Sequence, residues 1–166
     1  MELLVATGIA TLVCFGVCGI WIQAIWSYDR TNSQTITDVD AALAMQEMIA
    51  DVREATEVQA PASNHLRLIF PTKNEDGTYN RTVPDTSNPV DYVLSDSSGV
   101  VGHTGTWLWR KPTNGASRAI SRNVGALLFV TDRPNRVEIT VVTRNNYTRG
   151  QAWTSLTERV VYLRNY

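Results

Sequence analysis

Cysteine is almost missing from this chain. Its two copies, Cys14 and Cys18, both lie near the start, and none follows. The downstream part therefore has neither a disulfide frame nor a cysteine-based metal site. Cys14 and Cys18 stand four apart on one helix face and do not bridge each other without breaking the helix. Packing of small polarizable residues accounts for them better than an intermolecular disulfide or lipidation. Histidine is equally scarce, and His65 and His103 have no ligand-spaced partner in the sequence. The chain has no Gly-rich phosphate loop, Walker lysine, HExxH or GxSxG. It reads as a protein without catalytic machinery, metal or cofactor. Asp38 and Asp40 are assigned to a helix start, where carboxylates favour the positive end of the dipole, in preference to calcium binding. Asn80-Arg81-Thr82 and Asn146-Tyr147-Thr148 match glycosylation sequons, triplets that also arise by chance.

Charge of either sign is absent from Leu3 to Trp26, and Gln23 is the only strongly polar side chain there. As an α-helix this run is about 36 Å long, enough to cross a hydrocarbon core of about 30 Å. Trp21, Trp26 and Tyr28 gather at its end, where amphipathic rings prefer the membrane interface, and Asp29 and Arg30 close it. A secretory signal would begin with a basic segment and finish at a small-residue cleavage site; the run shows neither and is read as an anchor. Gly8, Thr11, Cys14 and Cys18 could form a small-residue seam for close helix approach in a bilayer, although glycine is common in membrane helices generally.

What is present is 166 residues, one domain or one domain plus an anchor. Net charge is −1, but the halves differ. Residues 1–100 hold five Lys/Arg against thirteen Asp/Glu, and residues 101–166 hold ten against three. Such asymmetry is either paired within an assembly, used as a partner-binding face, or spread over solvated strand edges.

After the polar patch SYDRTNSQ, the sequence TITDVDAALAMQEMIADVREATEVQ repeats apolar residues near a 3.6 period. Ile36, Val39, Leu43, Ile49 and Val52 define the expected buried face, joined by Ala42 and Met45, with Glu47, Asp51 and Glu54 as an acidic strip expected to meet arginines of neighbouring subunits. Pro61 is the expected stop. The reading is one long helix whose first part (1–27) suits a membrane or filament core and whose amphipathic continuation (28–61) packs on a globular head (62–166).

In the head the period changes to two. HLRLIF (65–70), VDYVLS (90–95), TWLWRK (106–111), GALLFVT (125–131) and RVEITVVTR (136–144) are strand candidates. LTERVVYLRNY (156–166) is an edge strand or closing tail. Residues 71–89 read as a loop in which Asp76-Gly77 closes a small hairpin. The expected class is α+β: a long N-terminal helix packed on a mainly antiparallel sheet.

ELLVATGIATL resembles the N-terminal segment of type IV pilins and type II secretion pseudopilins, in which a glutamate precedes an apolar helix. MQEMIADVREATEV resembles the end of the long helix in the larger minor pseudopilins, the J type. VDYVLS, TWLWRK, ISRNVGALLFV, VEITVV and ERVVYLRN follow in the order that group shows. The resemblance implies a filament subunit assembled with other pilin or pseudopilin subunits, held in the bacterial inner membrane beforehand and processed by a prepilin peptidase. The family's basic leader, the glycine before the cleavage point and the aromatic first mature residue do not occur here, so no residue is assigned to processing. The resemblance further implies that Glu2 pairs with the N-terminal amine of a neighbouring subunit. A buried carboxylate is costly unless paired, so that pairing would set subunit register. The competing reading makes Glu2 an interfacial residue reaching the headgroups.

Two other functions compete. A DNA-binding competence pilin would use the basic half to neutralise phosphates, with Trp107 and Trp109 stacking on bases. Those tryptophans share one strand face, where core packing is preferred, so DNA is not favoured. A membrane-tethered binding domain without a filament leaves Glu2 unexplained.

Overall fold

The first proline is Pro61, and the residues before it are rich in Leu, Ala, Met, Gln and Glu. Nothing in that stretch removes a helical hydrogen bond. In the computed structural model, which describes residues 1–133, 135–146 and 152–164, one helix α1 runs unbroken over Glu2–Glu54, 53 residues. At 1.5 Å per residue that is about 80 Å.

The helix stops before the expected Pro61. Ala55 turns extended (φ −66°, ψ 148°) while its N–H still reaches the carbonyls of Asp51 and Val52. Thr56 N–H then donates to Ile69 O at 2.8 Å, and Glu57 pairs with Ile69. Sheet pairing thus captures the chain as soon as a partner strand is in reach. The amphipathic continuation placed at 28–61 ends at Glu54, and Pro61 lies within a strand.

Ten strands follow. In chain order they are β1 (Glu57–Ala62), β2 (His65–Ile69), β3 (Pro71–Lys73), β4 (Tyr79–Pro84) and β5 (Val90–Ser95). Then come β6 (Trp107–Pro112), β7 (Arg118–Ser121), β8 (Val124–Arg133), β9 (Arg136–Asn146) and β10 (Ala152–Tyr162). Two antiparallel sheets share the core: a five-stranded one ordered β1-β2-β5-β6-β7 and a three-stranded one ordered β10-β9-β8. β3 and β4 form a separate hairpin, closed by Asn74 N–H to Thr78 O and Gly77 N–H to Asn74 O. This is the small hairpin expected around Asp76-Gly77, within a segment otherwise read as loop. Pro61 is tolerated because β1 is an edge strand, where a missing N–H leaves no ladder bond unmade. The fold is α+β.

One hydrophobic cluster joins all three layers: Ala44, Met48 and Val52 of α1, Leu66, Tyr92 and Leu108 of the larger sheet, and Val137, Ile139 and Val141 of the smaller one. The helix face that enters it differs from the expected one. Thr37, Ala41, Ala44, Met45, Met48 and Val52 are buried, whereas Ile36, Val39, Leu43 and Ala42 are exposed. Small residues at 41 and 44 let the helix axis come close to the sheet, which the bulkier stripe on the far side would prevent. Met45 and Val52 are the shared members of the two faces, and Ile49 is half-buried at their border.

Candidate functional site

Every residue of α1 up to Tyr28 is exposed. Its most apolar 18-residue window has a mean hydropathy of 2.3 and no buried residue, so it is long and apolar enough to cross a membrane. Glu2 sits in the first turn, where a carboxylate faces the positive end of the helix dipole. Gly8, Thr11, Cys14 and Cys18 are all exposed, both thiols are free, and nothing lies within 4 Å of where a Gly8 side chain would begin. Thr7 returns its hydroxyl to Leu3 O at 2.9 Å and Thr11 to Thr7 O at 2.5 Å. Both threonine hydroxyls therefore carry their own partners into an apolar setting.

Where α1 meets the larger sheet, the acidic strip is met by residues of the same chain. Asp51 Oδ2 accepts from Tyr92 Oη and from Arg110 Nε, both at 2.7 Å. Glu47 Oε1 lies 3.8 Å from Arg110 Nε and accepts from Arg118 Nη2 at 2.5 Å. Burial, then the bond to Asp51, pushes the Tyr92 hydroxyl well above its ordinary range, so it stays a donor. Burial works against the Arg110 charge, and Asp51 more than compensates. Part of the charge difference between the two halves is thereby settled inside the chain. Glu54 lies beyond this cluster, at a cavity of about 590 Å³ lined also by Arg53, Phe70, Tyr79 and Arg164.

Asp38 and Asp40 do not begin a helix, because α1 passes through them without a break; Asp40 instead accepts from Asn123 Nδ2 at 3.2 Å. The histidines also have partners that the sequence spacing concealed. His65 Nε2 lies 2.9 Å from Asp91 Oδ1, which also accepts from Arg67 Nε at 2.8 Å. Burial raises the Asp91 carboxyl, and the hydrogen bonds from Arg67 and His65 outweigh it, leaving it below the usual carboxylate range. His103 Nδ1 lies 2.9 Å from Asp96 Oδ2. Among the described residues no three His, Cys, Asp or Glu side chains gather as a metal site would require.

Trp107 and Trp109 lie outside the core. Leu108 between them is buried in it, so the two indoles occupy the opposite sheet face. They stack with centroids 6.0 Å apart and planes at 15°. Arg122 covers Trp107 at 4.8 Å from the ring centroid, and Gly99 (φ +69°) lies against the Trp109 ring. A Cβ on Gly99 would fall 2.9 Å from that ring, so glycine is required by both space and φ. The 96–105 loop is pinned across this face by Trp109 Nε1 to Asp96 O at 2.8 Å and Lys111 Nζ to Gly99 O at 2.6 Å. The ring faces that could take a base are thus occupied within the chain.

Comparison with protein-family models, curated proteins and solved structures returns no match. Arg149 and Tyr147-Thr148 of the second sequon lie outside the described residues.

Proposed function

We propose that this chain is a structural subunit, a minor pilin or pseudopilin, of a type IV pilus-like or type II secretion filament. It would wait in the membrane through the first half of α1, with the head on the extracytoplasmic side, and enter the filament through the same helix. The observation that carries the reading is the division of labour along one unbroken helix. Leu3 to Trp26 carry no charge and are exposed, while Thr37 to Val52 give buried residues to the core of the head. Such a helix leaves half its length to be covered by lipid or by other helices. Glu2 at its tip is the feature a simple anchor does not need, and the sequence resemblance gives it a role: pairing with a neighbour's N-terminal amine.

Glu2→Ala tests this directly. The apolar span is unchanged, so membrane insertion should persist, while incorporation into sheared filaments should fall steeply. Normal incorporation of the variant would sink the pairing role.

The DNA-binding reading loses support from the tryptophans, whose faces are taken by Arg122, by each other and by Gly99. The arginines are also spread over several strands, and two of them, Arg110 and Arg118, are paired with Asp51 and Glu47.

A further inference from the structure

Every open sheet ends in edge strands, and a bare edge is a template for a further strand. Most edges of this head are blunted. β1 carries Pro61 and a register shift between Gln59 and Ala62. β7 is only four residues long. β8 shifts register near both ends, and its Phe129 N–H is taken by Ser63 O at 2.8 Å. In the β3–β4 hairpin Pro71 stands opposite Pro84. β10 has none of these devices. Its eleven residues include no proline or glycine, and it pairs with β9 along its whole length without a shift.

The ladder decides which backbone groups of β10 are open. In an antiparallel pair alternate residues exchange hydrogen bonds with the partner, and the others turn theirs away. Leu163 N–H donates to Asn135 O at 3.0 Å, one step beyond the Tyr162–Arg136 pair. Odd-numbered residues of β10 therefore bond to β9. Thr154, Leu156, Glu158, Val160 and Tyr162 direct their N–H and C=O groups to the outer edge. Arg164, next in that series, turns its N–H away from β9 to Arg53 O at 3.1 Å. Among the described residues, no backbone hydrogen bond reaches the other five from outside the ladder.

We propose that the outer edge of β10 accepts an extended segment of a different protein as a fourth strand beside β10-β9-β8. Main-chain hydrogen bonds supply the affinity of such an addition, and the flanking side chains its specificity. On the outward side the added strand would lie beside Leu156 and Val160, both exposed. On the inward side, where Val161 is buried, Arg159 is exposed and is the one charge of β10. A charge there rejects a wholly apolar strand, so the occupant brings a polar residue to that position.

The direction of α1 sets aside a second copy. Thr143, opposite Ser155, donates its hydroxyl to Thr37 O at 3.0 Å, and Arg164 reaches Arg53. Helix and β10 therefore run the same way. Two copies joined through this one edge would pair about a two-fold axis with their β10 strands antiparallel. Their helices would then point in opposite directions, and both apolar halves could not enter one membrane. The inference draws on the membrane reading only at this step, and makes no use of Glu2 or of filament assembly.

The test places the photo-crosslinker benzoylphenylalanine at Leu156 or, separately, at Val160 of the full-length chain in its native membrane. Both positions should join the same protein, at residues about four apart in one segment, because paired strands keep step. Glu158→Pro removes an outward N–H without touching the ladder to β9, and should cut both adducts about tenfold or more. Glu158→Ala keeps that N–H and should leave them. Circular dichroism checks that the proline variant is folded. Where it is not, amide exchange on the unsubstituted edge decides: Glu158 and Val160 should exchange about tenfold or more slowly in the purified Leu156 adduct than in the free chain. Overturning results are the absence of an adduct, an adduct with a second copy or with lipid, or attachment points that do not move in step. Equal adducts from folded Glu158→Pro and Glu158→Ala, or unslowed amides in the adduct, would also overturn it.

Discussion

Arg110 Nε donates to Asp51 Oδ2 at 2.7 Å, tying strand β6 to helix α1 across 59 residues of sequence. Tyr92 donates to the same oxygen. Asp51→Ala would strand a guanidinium and a buried hydroxyl together, and should cost roughly 2–3 kcal/mol of head stability. Asp51→Asn, which still accepts a bond, should cost less. Urea melts of the chain in detergent, followed by circular dichroism, check this. Equal stability of Asp51→Ala and the wild type would mean that the cluster does not hold helix to sheet.

The 96–105 loop should open in acid. Hydrogen bonds from Ser98 and then His103 hold the Asp96 carboxyl down at about 2. Because its pKa is depressed in the closed loop, the contribution of Asp96 is complete above the ordinary carboxylate value of about 3.9. It is lost as pH falls through about 2, where the closed form too takes up the proton. Trp109, whose ring the loop covers, should report the opening as a fluorescence change between pH 4 and 2. Asp96→Asn should remove that step; a step unchanged in the variant would assign the transition elsewhere.

Two substitutions on opposite sides of α1 should behave oppositely. Val52→Asp buries an unpaired charge in the common core and should unfold the head. Leu43→Asp sits on the exposed stripe and should stay within about 0.5 kcal/mol of wild type. A head destabilised by Leu43→Asp as severely as by Val52→Asp would reverse the assigned helix face. Thermal melts of the two variants side by side decide it.

DNA binding should be weak. In a fluorescence-anisotropy titration, duplex and single-stranded probes should show no submicromolar affinity at physiological salt, because overall charge is near zero and both indole faces are occupied. Submicromolar affinity that falls steeply with added salt would restore the competence reading.

Much of this architecture could be read from the sequence, and the exceptions have particular causes. VDYVLS coincides with β5, and the alternation in 136–144 fixes which residues of β9 face inward. The end of α1 was hidden because Glu57, Val58, Gln59 and Ala60 suit a helix well enough; pairing of Glu57 with Ile69, a tertiary event, takes them into β1. The buried helix face was hidden for another reason. Two apolar stripes run along opposite sides of residues 36–52, and hydrophobicity alone favours the bulkier one. Close approach to the sheet favours the other, with Ala41 and Ala44. For Trp107 and Trp109, alternation put both on one face, but only the burial of Leu108 shows which. The Asp51 cluster left no local signal, since Tyr92 and Arg110 reach it from distant strands.

The unbroken helix also fixes a phase. Each residue turns a helix by about 100° and advances it 1.5 Å, so the azimuth of the head is geared to that of the Glu2 face through the polar stretch 27–34. One residue inserted there would swing the head through more than a quarter-turn while leaving both ends folded. Seven would bring it back to within about 20° of its original bearing, displaced along the axis by about two turns. The spacer therefore acts as an angular gauge, and its length modulo the helical repeat decides which side of the head any neighbour of the anchor will meet.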